Sequence, residues 1–323
     1  MSWIFWLIGG IVLLLLIALL VCGEFLFRSV LKRDDTPRPE PTGIWKEIDD
    51  ENRAAKEKYK KLPHEAWSIQ TRDGLTLRAV FLPNPKGTDK IMLGIHGYHC
   101  NGLDEYIRFA DFYMEQGFSI LLPDNRAHGK SDGKYIGFGW LDRLDIIAWA
   151  EELVRRLGPD ISILLHGISM GSAAVLCASG EDTLPRQVRG ITADCGYVSA
   201  WEEFRLQLKV RYHLPAFPVL YFASLACRLS AGWFFGSCSP VRQVAKARIP
   251  ILFVHGDRDD FVPTAFVHPL YEACPSDKEL LLIPGAGHAL SYQIGRPAYE
   301  AAILRLIEKA IPDDTDRKEA DRS

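Results

Sequence analysis

The chain has 323 residues, of which 48% are hydrophobic and 24% charged, and its formal net charge is -3. That length suits one large domain or two small ones, with enough apolar material to bury a core. The lack of a basic excess argues against a nucleic-acid partner. The seven cysteines form no CxxC pair and no Cys/His cluster at zinc spacing, so no metal is expected.

Residues 3–22, WIFWLIGGIVLLLLIALLVC, carry no charge. Twenty helical residues at about 1.5 Å rise span about 30 Å, the hydrocarbon thickness of a bilayer. Trp3 and Trp6 suit an interface. A transmembrane helix is expected over 3–23. The alternative, a cleaved signal peptide, fits poorly: no Lys or Arg precedes the run and no small-residue cleavage site follows it. Lipid modification of Cys22 is disfavoured by Val21. Arg28, Lys32 and Arg33 follow the run, so the positive-inside rule places the rest of the chain in the cytoplasm. Scattered free thiols agree with a reducing compartment. Residues 24–64 read as a juxtamembrane linker, with a solvated helix around 45–61 and lysines at 56, 58, 60 and 61.

From residue 65 to 312 the pattern alternates strand and helix. AWSIQT and LTLRAVF flank Arg72-Asp73-Gly74, a hairpin signal. IMLGI (91–95) is wholly apolar, as a strand buried on both faces must be. A helix is expected over 104–116, ending at Gly117. FSILL (118–122), a strong amphipathic helix over 141–157, ISILL (161–165) and a helix over 170–179 follow. GITAD (190–194), PILFVHG (250–256), ELLLIPG (279–285) and a helix over 297–310 complete the set. Such alternation specifies an α/β fold: a mostly parallel, eight-stranded sheet with helices on both faces. Residues 197–238, rich in Phe, Tyr, Trp and Leu, break the pattern. They leave from the C-terminal end of a strand, where open α/β sheets carry their sites, so a helical lid insertion is expected. The tail 313–323 is charged and reads as disordered.

Gly167-Ile168-Ser169-Met170-Gly171 lies between a buried strand and a helix, the context of a nucleophile elbow. The turn is too tight for side chains at the flanks, and the helix N-terminus behind the serine favours a developing oxyanion. A serine needs a base. Two later loops each follow a buried strand and carry the acid and histidine in the order Ser, Asp, His: His255-Gly256-Asp257-Arg258-Asp259-Asp260, and Gly285-Ala286-Gly287-His288.

With HGYHCNG (96–102), DNRAHGKSDG (124–133), GWLDRLDIIAW (139–149), ADCGYVS (193–199) and HGDRDDFVP, these motifs make residues 66–312 resemble the α/β-hydrolase superfamily. The nearest branch is bacterial, membrane-anchored and esterase-like, similar to the core of prolyl-oligopeptidase-type hydrolases. The resemblance implies the α/β-hydrolase fold and a triad of Ser169, Asp259 and His288, the acid lying four residues after the histidine of HGxxDxxVP. Asp257 and Asp260 are then surface carboxylates. It also implies an oxyanion hole from the backbone N–H groups of Tyr98 and Met170. His96, His128, His166 and His255 would organise loops, and Asp124 and Gly129 would brace one near the site.

The activity so implied is acyl-ester hydrolysis through an acyl-enzyme, on a small-molecule or lipid-like ester, with no cofactor. A peptidase and an acyltransferase on the same fold are the enzyme alternatives, the former disfavoured by the lack of room for a propeller. A non-catalytic membrane-anchored binding protein is the third reading, opposed by the complete triad order.

Overall fold

The computed structural model describes residues 2–36 and 40–311. In chain order it begins with helices α1 (Ser2–Leu31) and α2 (Ile44–Tyr59) and the hairpin β1 (Glu65–Gln70) and β2 (Thr76–Leu82). Then come β3 (Lys90–Ile95), α3 (Gly102–Tyr106), α4 (Ala110–Glu115), β4 (Phe118–Pro123), α5 (Asp142–Leu157), β5 (Ser162–Ile168), α6 (Met170–Ala178) and β6 (Val188–Asp194). Two helices follow, α7 (Ala200–Tyr212) and α8 (Val219–Ala231). The chain closes with α9 (Pro240–Val244), β7 (Ile251–Gly256), α10 (Val267–Ala273), β8 (Lys278–Ile283) and α11 (Ser291–Ala310). Contacts divide this chain into two compact units, Met1–Lys32 with Ser199–Cys238, and Arg33–Val198 with Ser239–Ser323.

The larger unit holds one eight-stranded sheet in the order β1-β2-β4-β3-β5-β6-β7-β8. β2 runs antiparallel to β1 and β4, and the other neighbours pair in parallel. The apolar runs explain this. In β3, Ile91, Leu93 and Ile95 join one core layer and Met92 joins the other, so the strand buries both faces as a central parallel strand must. One layer contains Trp149 and Leu153 of α5 and Val175 of α6; the other contains Tyr292, Tyr299 and Ile303 of α11. The register aligns Ile95 with Gly167, Ile168 with Asp194, and Gly256 with Ile283. The loops that follow β3, β5, β6, β7 and β8 therefore emerge along one edge of the sheet.

Three boundaries differ from the sequence expectation. The helix expected over 104–116 is divided by a 3-10 turn at Ile107–Phe109. Tyr106 and Phe109 are both fully buried, and three residues per turn bring them into line. The last helix starts at Ser291, before the expected 297, because two helical pieces join across a kink at Gly295, with Pro297 in the first turn of the second. The third boundary is in the smaller unit, where α1 continues past residue 23 to Leu31, its last turns carrying a Glu24–Arg28 pair at i,i+4 spacing. The insertion forms two helices and a 3-10 turn, and its unit begins at Ser199. Tyr197 stays with the larger unit, stacking on Phe138 at 5.1 Å and donating its hydroxyl to the Phe138 carbonyl. Residues 37–39 of the expected linker and the tail 313–323 lie outside the described residues.

Candidate active site

β5 ends at Ile168 and α6 starts at Met170, so Ser169 alone makes the turn. Its backbone sits at φ 56° and ψ -115°, a strained conformation for a side chain-bearing residue. Close packing holds it there. A Cβ on Gly171 would lie 1.8 Å from the Ile95 carbonyl oxygen, and one on Gly167 would lie 2.4 Å from the Gly171 carbonyl oxygen. The Ser169 N–H donates to the Asp194 carbonyl at 2.9 Å, tying the turn to the end of β6.

His288 stands on the loop after β8. Its Nε2 lies 2.8 Å from Ser169 Oγ, and its Nδ1 lies 2.7 Å from Asp259 Oδ2. The other oxygen of Asp259 accepts from the N–H groups of Phe261 and Val262 at 3.0 and 2.9 Å. His255 Nε2 lies 3.3 Å from Oδ2 while donating to the Val262 carbonyl at 2.9 Å. Burial alone would raise the Asp259 pKa; the hydrogen bonds from His255 and His288 outweigh it and hold the carboxyl down to about 2. The other two acids of the loop are exposed. Asp257 accepts from the Gly285 N–H at 2.6 Å, lacing the β7 and β8 loops together, and Asp260 points to solvent.

Tyr98 follows Gly97 on the loop after β3. Gly97 packs against the serine, a Cβ there falling 3.5 Å from Ser169 Cβ, and its N–H donates to buried Glu105 at 3.1 Å. The Tyr98 ring meets His99 edge-on at 3.8 Å and lies 6.0 Å from Phe138. Met170, the first residue of α6, places its N–H at the helix N-terminus beside Ser169.

Of the other histidines expected to organise loops, His96 and His128 lie on loops, whereas His166 lies within β5 and His255 within β7. His96 donates Nδ1–H to the Gly97 carbonyl, and its Nε2 accepts from the Asn125 N–H at 2.9 Å. Burial pushes its pKa down to about 4. His128 accepts from the His99 N–H at 3.2 Å and is lowered to about 3, by burial and then by His96. His166 sits between the hydroxyls of Tyr113 and Tyr299 at 3.0 and 2.9 Å and is likewise lowered to about 3, mainly by burial. All three are neutral at pH 7. Asp124 accepts from the N–H groups of Gly102 and Lys130, and Gly129 packs directly on its carboxylate.

The alpha/beta hydrolase family pattern matches residues 92–302, from β3 into α11. The chain belongs to the alpha/beta hydrolase family. Among its relatives is the uncharacterized protein YqkD of Bacillus subtilis, 26% identical over 78% of this chain and 82% of that one. A yeast relative, described as the uncharacterized membrane protein YNL320W of Saccharomyces cerevisiae, is 26% identical over 70% of this chain and 74% of its own. Two solved structures share the fold. The Pyrococcus furiosus esterase Pf2001 superposes with a TM-score of 0.64 at 22% identity, over 85% of this chain and 98% of that one. Est1E of Butyrivibrio proteoclasticus, solved with ferulic acid bound, gives 0.58 at 23% identity over 76% and 99%.

Three groups of this hydrolase fold lie at the site or brace it without having been singled out in the sequence. Arg126 makes a two-pronged pair with buried Asp145 at 2.6 and 2.7 Å and also reaches Asp73 at 2.9 Å, fixing the loop of 124–133. Asp194 is fully buried at the end of β6 and accepts from Ser291 Oγ at 3.0 Å and the Tyr299 hydroxyl at 3.1 Å. Burial raises its pKa to about 6, against those hydrogen bonds. Cys195, buried with φ 47°, places its thiol within 4.8 Å of the facing atoms of Asp259 and His288. The motifs DNRAHG and ADCG contain these residues, but their partners come from distant segments that only the fold assembles.

Proposed function

We propose that this alpha/beta hydrolase is a serine hydrolase of carboxylic esters, with Ser169 as nucleophile, His288 as general base and acid, and Asp259 as the carboxylate that orients His288. The observation that carries this reading is the unbroken chain from Ser169 Oγ through the His288 imidazole to Asp259, at 2.8 and 2.7 Å, on a serine held at positive φ. His288 Nε2 takes the serine proton as Oγ attacks the ester carbonyl. The ionised Asp259 fixes the tautomer that leaves Nε2 unprotonated and then stabilises the imidazolium. The N–H groups of Met170 and Tyr98 receive the oxyanion, supported by the α6 N-terminus. The tetrahedral intermediate collapses, the alkoxide leaves with the proton from His288, and water enters by the same route to release the acid.

Esters are favoured over amides because Pf2001 is named an esterase and Est1E binds ferulic acid, both on this fold. We read α1 as the membrane anchor, with the hydrolase unit in the cytoplasm because Arg28, Lys32 and Arg33 follow the apolar run. α1 is long and apolar enough to cross a bilayer, and the yeast relative is described as a membrane protein. Residues 197–238 serve in this reading as a lid for an apolar acyl group, and the substrate is a small-molecule or lipid-like ester.

A fluorophosphonate probe should label Ser169, and Ser169→Ala should abolish both labelling and p-nitrophenyl ester turnover, a loss on the order of a million-fold. Undiminished turnover in the alanine variant overturns the mechanism. A parallel series of aminoacyl nitroanilides separates esterase from peptidase. Protease added outside intact cells should spare the hydrolase unit; digestion would reverse the orientation.

A further inference from the structure

α1 is longer than a bilayer needs. Thirty residues at about 1.5 Å rise extend about 45 Å, against about 30 Å of hydrocarbon. The uncharged run ends at Gly23, so the final turns, from Glu24 to Leu31, project beyond the hydrocarbon core. α8 packs on α1 at that level. The approach is backbone to backbone: a Cβ on Gly23 would lie 2.5 Å from the Phe222 carbonyl carbon and 2.8 Å from the Ala223 nitrogen.

α8 has two apolar faces and only one of them is buried. Leu220, Ala223, Ser224 and Cys227 are buried at helical spacing. Tyr221, Leu225 and Leu229 form a second row at i, i+4 and i+8, exposed by 55%, 37% and 77%, and Phe217, one turn earlier, is exposed by 72%. Trp201, Phe217 and Tyr221 form an aromatic group at 4.9 and 5.7 Å. On α1, Val21 and Phe25 are exposed in the same way, on either side of the end of the apolar run. Isolated exposed apolar residues are ordinary; a row of three along one helix, with Phe217 just before its start, marks an interaction surface. Thirteen residues are too few to cross a bilayer, and an aromatic group with an apolar row beside a spanning helix suits the boundary between headgroups and acyl chains.

We propose that the exposed row Phe217–Tyr221–Leu225–Leu229 lies in the bilayer interface, forming with the end of α1 a single two-helix membrane seat. The proposal rests on the reading of α1 as a membrane span. The occupant of the surface is phospholipid, because α8 is fixed to α1 at the depth where the uncharged run gives out. The basic side chains of Lys209 and Arg228, both exposed, are placed to meet anionic headgroups.

The test uses the full chain reconstituted into vesicles of phosphatidylcholine and phosphatidylglycerol that carry an alkyne-tagged phospholipid. A photoreactive p-benzoylphenylalanine is placed singly at Leu14 in α1, at Leu229 or Phe217 in the row, and at Arg205 on α7. Lipid adducts at Leu229 and Phe217 should approach the yield at Leu14 and exceed that at Arg205 at least tenfold. Adducts at Leu14 with yields at Leu229 and Phe217 no higher than at Arg205 would overturn the seat while leaving the span intact. No adduct at Leu14 would overturn the span itself, and the seat with it. Crosslinks from Leu229 to a second copy of the chain, in place of lipid, would make the row a dimer face and overturn the proposal as well. Every labelled position is exposed, so folding is preserved.

Discussion

The loop cluster around Ser169 and the helix pair α1–α8 handle their polar and apolar groups in opposite ways. In the loop cluster, side chains that are costly to bury go inside with their partners supplied: Asp259 receives two backbone N–H groups and two imidazoles, and Arg126 receives two carboxylates. In the helix pair, side chains that would gain from burial are left outside, with Leu229 exposed by 77%. The first pattern holds Ser169 and Asp259 each within hydrogen-bond distance of His288. The second leaves free energy to be realised by a partner. A hydrogen-bonded loop cluster and an exposed apolar row thus occur in one chain of 323 residues.

Substitutions can break this contrast in graded steps. After Ser169→Ala, the largest loss is expected of Asp259→Asn, which keeps the volume but favours the wrong imidazole tautomer; kcat on a soluble ester should fall roughly ten-thousand-fold. A fall below tenfold would show that His288 does not depend on this carboxylate. Arg126→Met leaves Asp145 buried without its cation, and urea titration should show a loss of about 3–5 kcal/mol. Stability within about 1 kcal/mol of the parent would mean that water reaches this pair.

Asp194 gives a smaller, pH-dependent effect. Its folded pKa, about 6, lies above the ~3.9 of a free aspartate, so the folded state holds the proton more tightly. The stability from this group is fully present below about pH 4 and is lost as pH rises through about 6. Asp194→Asn should remove a decline on the order of 2–3 kcal/mol between pH 4 and 7, visible as a flatter dependence of the urea midpoint on pH. An unchanged slope would show that Ser291 and Tyr299 offset the burial completely. The smallest effect belongs to the other region: Leu229→Ser should change stability by less than about 0.5 kcal/mol and leave turnover of a soluble ester unaltered. A larger cost would place Leu229 in a packed contact.

Much of this was legible in the sequence because it depends on local pattern. A hairpin followed by six short apolar runs, alternating with amphipathic helices, specifies a mostly parallel sheet covered by helices, and all eight expected strands form close to their expected limits. The elbow was legible because glycine is needed where backbones touch, as at Gly171 beneath Ile95. Other features lay outside local pattern. The 3-10 turn at Ile107–Phe109 is set by burial of Tyr106 and Phe109, and buried aromatics are equally compatible with an α-helix when read along the chain.

By itself the sequence determined the α/β class, the strand order along the chain, the apolar N-terminal helix and the residue types able to act as nucleophile, base and acid. Those are properties of short windows, fixed by hydrophobic period and by turn chemistry. The family resemblance already points to Asp259 rather than Asp257 or Asp260, and the structure sets it 2.7 Å from His288. Only the tertiary structure decided that Asp194, Cys195 and Arg126 lie at or brace the site, and that α8 lies along the end of α1 with large apolar side chains exposed. Each depends on which side of a loop or helix is turned inward. That is settled by packing between segments distant in sequence, where a neighbour one residue away points in another direction.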